Sequence, residues 1–281
     1  LSLGFFFQKY LIRGSLHTHQ GLFEIIFFGI FFLSILTLFF NFFIKLHNLF
    51  FIGFVILIIL YSIFNFKNLI KKNIKTLLLY SIILSPLCTF LDFGYDAGLY
   101  HIPFQIILQN DHINFGIANL HHRYGTTTSY SYVAALLSHN NFFNIVSSFS
   151  TILFSLFFLF ILEKIKSKKF IDNVFAISAL ITFPLWYRYG ELSISIVDIF
   201  FSFFYFFTFY YGAQILFYKQ NNFIELKEKF FLFFIFLSYS ISTKPSGVIL
   251  GLYLALIFFV KYDFFIKNLK DIILNNLVSI F

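Results

Sequence analysis

The chain has 281 residues, of which 59% are hydrophobic and only 11% charged, with a mean hydropathy of +0.86. That composition cannot dress a water-facing surface, so a soluble enzyme is excluded and the solvent is lipid. The net charge is +8, and the single cysteine, Cys88, excludes disulfides within the chain and any Cys-based zinc site.

Heavy use of Phe (50 residues), Ile, Lys, Asn and Tyr looks like nucleotide bias in an AT-rich genome, so much of the Phe says little about function. The chain begins with Leu and contains no Met, which fits either a non-standard start or a piece of a longer reading frame.

A helix needs about 20 apolar residues to cross about 30 Å of hydrocarbon. Runs of this kind predict an all-α, polytopic transmembrane bundle of about eight spans, forming one membrane domain over residues 1–281. In chain order they are Ile25–Phe43, Leu46–Phe66, Thr76–Leu91, Phe142–Leu162, Asn173–Tyr187 and Leu192–Tyr218. The last two come from one stretch, Phe230–Val260, broken at Lys244-Pro245. Proline removes a backbone donor there, which fits a hairpin or a discontinuous helix, and charge bias arbitrates. With eight crossings and a cytoplasmic start, every Lys and Arg except Lys45, Arg123, Arg188 and Lys244 lies inside. Merging the last two spans moves Lys261, Lys267 and Lys270 to the wrong face, so the positive-inside rule favours the hairpin.

The expected location is therefore the cytoplasmic membrane, multi-pass, with both termini inside and residues 92–129 outside. This outer loop is the longest stretch between spans, too long for a mere connection. It holds Asp92, Asp96, Asp111, Arg123, His101, His112, His121 and His122. Pro103 can open a short helix through Gln109, with Phe104, Ile107 and Leu108 on one face, expected to lie on the membrane surface. Ser129–Ser138 reads as a second short helix.

Four polar constellations fall on the outer side. The first, Leu91 to Pro103, includes Asp92, Asp96, Tyr100 and His101; Gly94 and Gly98 argue for a turn. A carboxylate in a partly dry cleft can act as a general base toward a hydroxyl, whereas the plainer role for Asp92 is a helix cap. The second, Asn119 to Tyr130, sets His121 and Arg123 among hydroxyls, as suits an anionic group such as phosphate, or forms an ordinary polar loop. Adjacent His121 and His122 are poorly spaced to share one metal ion, so no metal site is assigned, although use of a divalent ion is left open. The third joins Arg188 and Glu191 to Asp198, an ionisable residue inside a span or a partner for Arg188. The fourth, Ser242 to Gly247, places Lys244 beside a broken helix, as an anion ligand or a snorkelling side chain.

At these residues the sequence resembles bacterial multi-pass glycosyltransferases of the GT-C type, which use lipid-linked sugars and carry an acidic motif with a nearby Tyr in a large first outer loop. Here Asp96-x-x-x-Tyr100-His101 is similar to that motif. A narrower resemblance is to a bacterial membrane-protein family of no settled reaction. It is carried by Asp96, Tyr100-His101-Ile102-Pro103, Asn119-Leu120-His121, Arg123, Gly125, Thr127-Thr128-Ser129 and Thr243-Lys244-Pro245-Ser246. It covers roughly residues 75–260, with Thr127-Thr128 replacing an Asn-Ser pair, and GT-C enzymes usually continue for more spans.

The resemblance implies transfer of a sugar from a polyprenyl-phosphate donor to an envelope glycan, lipid or protein. Asp96 would be the base and Asp92 a second carboxylate. Arg123 and Lys244 would bind the leaving phosphate, and Tyr100 and His101 would position the acceptor or the acid. Asn119, His121, Arg188, Glu191 and Asp198 complete the expected substrate contacts. The expected partners are the lipid-linked donor and membrane lipid, with no nucleic acid. A transporter or flippase for a lipid-linked or anionic solute, and a non-catalytic subunit of an envelope assembly, are the alternatives.

Overall fold

The computed structural model describes residues 1–10, 21–84, 97–113, 115–120, 122–125, 128–137, 149–167, 169–189, 197–218, 223–263 and 266. Every regular element among them is helical, and no strand occurs. In chain order the α-helices are α1 (Ser2–Tyr10), α2 (Leu22–Asn41), α3 (Leu49–Asn65), α4 (Lys67–Leu84), α5 (Ile102–Asn110) and α6 (Ser129–Leu137). They continue with α7 (Phe149–Ile165), α8 (Phe170–Tyr189), α9 (Val197–Leu216), α10 (Phe223–Thr243) and α11 (Leu250–Val260).

The core is built around α9. Phe203, Phe204, Phe207, Tyr210 and Tyr211 recur at helical spacing and are buried. The Phe207 ring lies 4.9 Å from Phe27 of α2, 4.9 Å from Phe160 of α7 and 5.0 Å from Phe236 of α10. Each aromatic pair is worth about 0.5–1.5 kcal/mol beyond its buried area. The opposite faces carry large apolar side chains into the surroundings: Leu49, Phe50, Leu57 and Phe64 on α3, Phe39 on α2, Leu252 and Phe259 on α11. Exposed apolar side chains in such number are uncommon on a water-facing monomer. By length and composition α2 can cross a membrane alone, and α3 with Lys67–Ile82 passes the same test as a pair.

That pair is bent by 102°. A third span starting at Thr76 is expected, yet the helix begins at Lys67 because nothing between Lys67 and Thr76 breaks it: there is no Gly or Pro. Ile70 packs with Phe5, Ile25 and Phe66, and Tyr80 lies 6.0 Å from Phe23. Both contacts lie at the start of α2, so α4 stays near that end over ten residues.

Helix α1 is not among the expected spans. It is too short to register as one, but it crosses α2 where both chains are narrow. A Cβ on Gly4 would meet the Ile25 carbonyl oxygen at 1.8 Å, and one on Gly29 would meet the Gly4 nitrogen at 2.9 Å.

After Thr243 the chain reverses. Tyr253 packs against Phe233 at 6.1 Å and its hydroxyl donates to the Phe209 carbonyl at 3.2 Å. Positions ten residues before and after the break therefore meet, which is hairpin geometry. The bundle has two ends: one holds the start of α2 at Glu24, the other its finish at Asn41.

Candidate functional site

At the Asn41 end the outer-loop segments pack onto the bundle. Helix α5 starts with Pro103 in its first turn, where a missing N–H costs nothing. It was expected to lie on a membrane surface. Instead Phe104 and Leu108, one helical turn apart, enter the main core, and Gln105 and Gln109 are buried beside them. Helix α6 is buried through Tyr130, Val133, Ala134 and Ala135.

Three contacts join described residues that lie in or directly beside the polar constellations. The Phe104 ring stacks on Tyr124 at 5.4 Å, joining the Tyr100–His101 stretch to the turn that carries Arg123. The Ser129 and Thr243 hydroxyls lie 3.2 Å apart, joining the second constellation to the helix break at Lys244. The Lys244 ammonium sits 6.0 Å from the Phe201 ring centre, one turn past Asp198, at the outer range of a cation–π contact.

The expected site residues are distributed as follows. Tyr100 and His101 occupy the π turn Ala97–His101 with their rings 4.3 Å apart. Asn119 is exposed on a 3-10 turn that opens at Gly116, whose φ of 83° is a backbone region glycine enters freely. Arg123 lies in the turn His122–Gly125, Arg188 in the last turn of α8 and Asp198 at the start of α9. Lys244 is extended, with φ −150° and ψ 129°, and opens the 3-10 turn Pro245–Ile249. Asp92, Asp96, His121 and Glu191 lie outside the described residues. Among the described residues no group of three His, Cys, Asp or Glu side chains is placed to hold a metal ion.

The opposite end holds a buried polar network absent from the sequence-based expectations. Glu24 is 3% exposed. It accepts from the Lys164 ammonium at 2.8 Å, from the Gly21 amide at 2.9 Å and from the Tyr211 hydroxyl. Asp172 is 5% exposed and accepts from the Ser167 hydroxyl at 2.7 Å, the Tyr210 hydroxyl at 2.8 Å and the Gln214 amide at 3.4 Å. Lys229 donates to Gln214 at 3.2 Å and pairs with Glu225 at 3.2 Å, and Tyr218 donates to Glu225 at 2.9 Å. Burial pushes the Glu225 carboxyl up, but the Tyr218 hydrogen bond and the Lys229 charge outweigh it and hold the group below its ordinary value.

The network ties the ends of α2, α7, α8, α9 and α10. A signal for it existed: Glu24, Asp172 and Glu225 each sit in a helix's first turn and Lys164 in a last turn, where the helix dipole favours them. Its chemistry is that of a filled site. Both buried carboxylates have three donors, so it supports packing rather than ligand binding.

No curated protein and no solved structure matches the chain. The model of a family described as a domain of unknown function, DUF8201, matches residues 1–281, and the chain belongs to that family.

Proposed function

We propose that the protein is a polytopic glycosyltransferase of the cytoplasmic membrane. It moves a sugar from a polyprenyl-phosphate donor to an envelope glycan, lipid or protein acceptor at the outer face. The observation that carries this reading is that described residues in or beside the polar constellations meet at the Asn41 end: Phe104 with Tyr124, Ser129 with Thr243, and Lys244 with Phe201. The Glu24 end, with Lys164, Lys229 and Lys261, is then cytoplasmic, as positive-inside bias requires, and the Asn41 end with Lys45 and Lys244 is outside. The apolar exteriors of α3 and α11 face lipid and offer a surface for the polyprenyl tail.

In the reaction Asp96 takes the proton of the acceptor hydroxyl, whose oxygen attacks the anomeric carbon from the side opposite the phosphate. The carbon–oxygen bond to phosphate breaks with inversion. Arg123 and Lys244 offset the charge that develops on the departing phosphate, where fixed cations are most effective. Tyr100 and His101 orient the acceptor. Asp92, Asn119, His121, Arg188, Glu191 and Asp198 complete the polar surroundings of donor and acceptor.

The test supplies radiolabelled lipid-linked sugar to membranes containing the protein. Asp96→Asn is expected to lower transfer by about 100-fold or more at unchanged protein level, the scale of general base catalysis. Undiminished transfer removes Asp96 as the base.

A further inference from the structure

We propose that Asn41 is a positioning residue that clamps the outer-loop segment to the bundle, a role that rests on the reading of that segment as the transfer site. Asn41 is the last residue of α2 and is fully buried, with 0% exposure. Its side-chain nitrogen donates to the carbonyls of Asp111 at 3.1 Å, Ile44 at 3.3 Å and Leu108 at 3.4 Å. Its own backbone carbonyl accepts from the Ile113 amide at 2.8 Å.

These bonds answer a specific need. The last carbonyls of an α-helix have no partner within the helix, and leaving one buried and unpaired costs about 1–3 kcal/mol by general measure. The C-terminus of α5 points into the turn between α2 and α3. That turn supplies the missing donors: the Leu46 amide to Leu108 and the His47 amide to Gln109, both at 3.3 Å. Asn41 completes the set from below. The Gln109 amide and the His47 ring then reach the Ala135 carbonyl of α6 at 3.0 and 3.2 Å, so the clamp extends to the second short helix.

Helix α5 acts as a lever on this mount. It follows the Tyr100–His101 turn without a break and runs nine residues to the clamp, a rise of about 13 Å. A small rotation at Asn41 therefore displaces the Tyr100–His101 turn at the other end. Misplacement of reacting groups by about 1 Å can cost about 100-fold in rate.

The experiment compares the full chain with Asn41→Asp and Asn41→Ser. Aspartate keeps the shape, removes both donors and turns a carboxylate toward three carbonyl oxygens; serine keeps one donor. Hydrogen exchange is read at the Leu46, His47 and Ile113 amides, with the Gly21 and Phe23 amides of the opposite end as internal reference. Asn41→Asp is expected to speed exchange at the first set roughly 10- to 100-fold, and Asn41→Ser less, with the reference amides unchanged. Unchanged protection in Asn41→Asp overturns the clamp. Equal loss at both ends also overturns it, because that is general destabilisation.

With lipid-linked sugar as substrate, kcat is expected to fall in Asn41→Asp with little change in KM for the donor, and to recover in part in Asn41→Ser. Lost protection with unchanged kcat overturns the positioning role. If the parent chain transfers no sugar, the glycosyltransferase reading fails while the exchange data still decide the clamp, since they use no donor.

Discussion

Replacing Lys164 with Met removes the cation from the buried Glu24 pair. At the observed 2.8 Å the Coulomb attraction is about 6 kcal/mol for an effective dielectric of about 20, before the cost of drying both ions is set against it. The variant leaves Glu24 buried with only the Tyr211 hydroxyl and the Gly21 amide, and leaves Asp172 and Glu163, whose charges also act on Lys164, without that cation. Removal of one partner of a buried pair costs about 3–5 kcal/mol. For a chain of this size that corresponds to a fall on the order of 10 °C in unfolding midpoint.

Glu24→Gln is expected to cost less, because glutamine still accepts from Tyr211 and Asp172 and Glu163 still face the ammonium. The double variant Glu24→Gln with Lys164→Met should recover part of the loss, giving a coupling of about 1–3 kcal/mol. The assay is thermal unfolding of the four purified proteins in one detergent. A Lys164→Met midpoint equal to that of the parent, or a double variant whose loss is the sum of the singles, refutes the claim that the network bears on stability.

Gly4→Ala should destabilise more than Gly53→Ala, because the new methyl at position 4 meets backbone atoms of Ile25 while position 53 has open space around it; melting of the two variants in parallel checks this. Acid should weaken the Glu24 end through Glu225. Its folded carboxyl titrates below the ordinary 4.5, so its contribution is complete above that value and is lost as pH falls through the folded one. Glu225→Gln is expected to flatten this part of the stability profile, read as midpoint against pH, and an unchanged acid limb counts against the assignment.

Helix positions were legible wherever a segment is apolar along its whole length, because burial in protein and exposure to lipid demand the same residues. Pro103 marked the start of α5 because a first-turn position needs no N–H, and α6 begins at Ser129, where the polar loop gives way to an apolar run. The reversal at Lys244-Pro245 was legible from lysine distribution. What escaped was set by contacts between distant segments. Helix α1 depends on Gly4 meeting Gly29, and the 102° bend at Phe66 depends on Ile70 and Tyr80 finding the start of α2. The Glu24 network was hidden for a related reason: Lys164 reads as a topology marker until its partner, far away in sequence, is brought beside it. At the Asn41 end the polar motifs were visible as residue types, but Asn41 itself sits inside the expected span Ile25–Phe43, flanked by Phe on both sides, with nothing nearby in sequence to mark its partners.

Glu24 and Lys164 are 140 positions apart, and Glu24 and Tyr211 are 187 apart. At about 5–20 residues per second of synthesis, helix α2 waits roughly 7–28 s for its ammonium partner and longer for the tyrosine. Throughout that interval the carboxylate must find its partners in water, which holds the start of α2 at an aqueous boundary until α7 arrives. Nascent chains arrested before Lys164 therefore carry an unmet charge at the edge of their first long apolar helix.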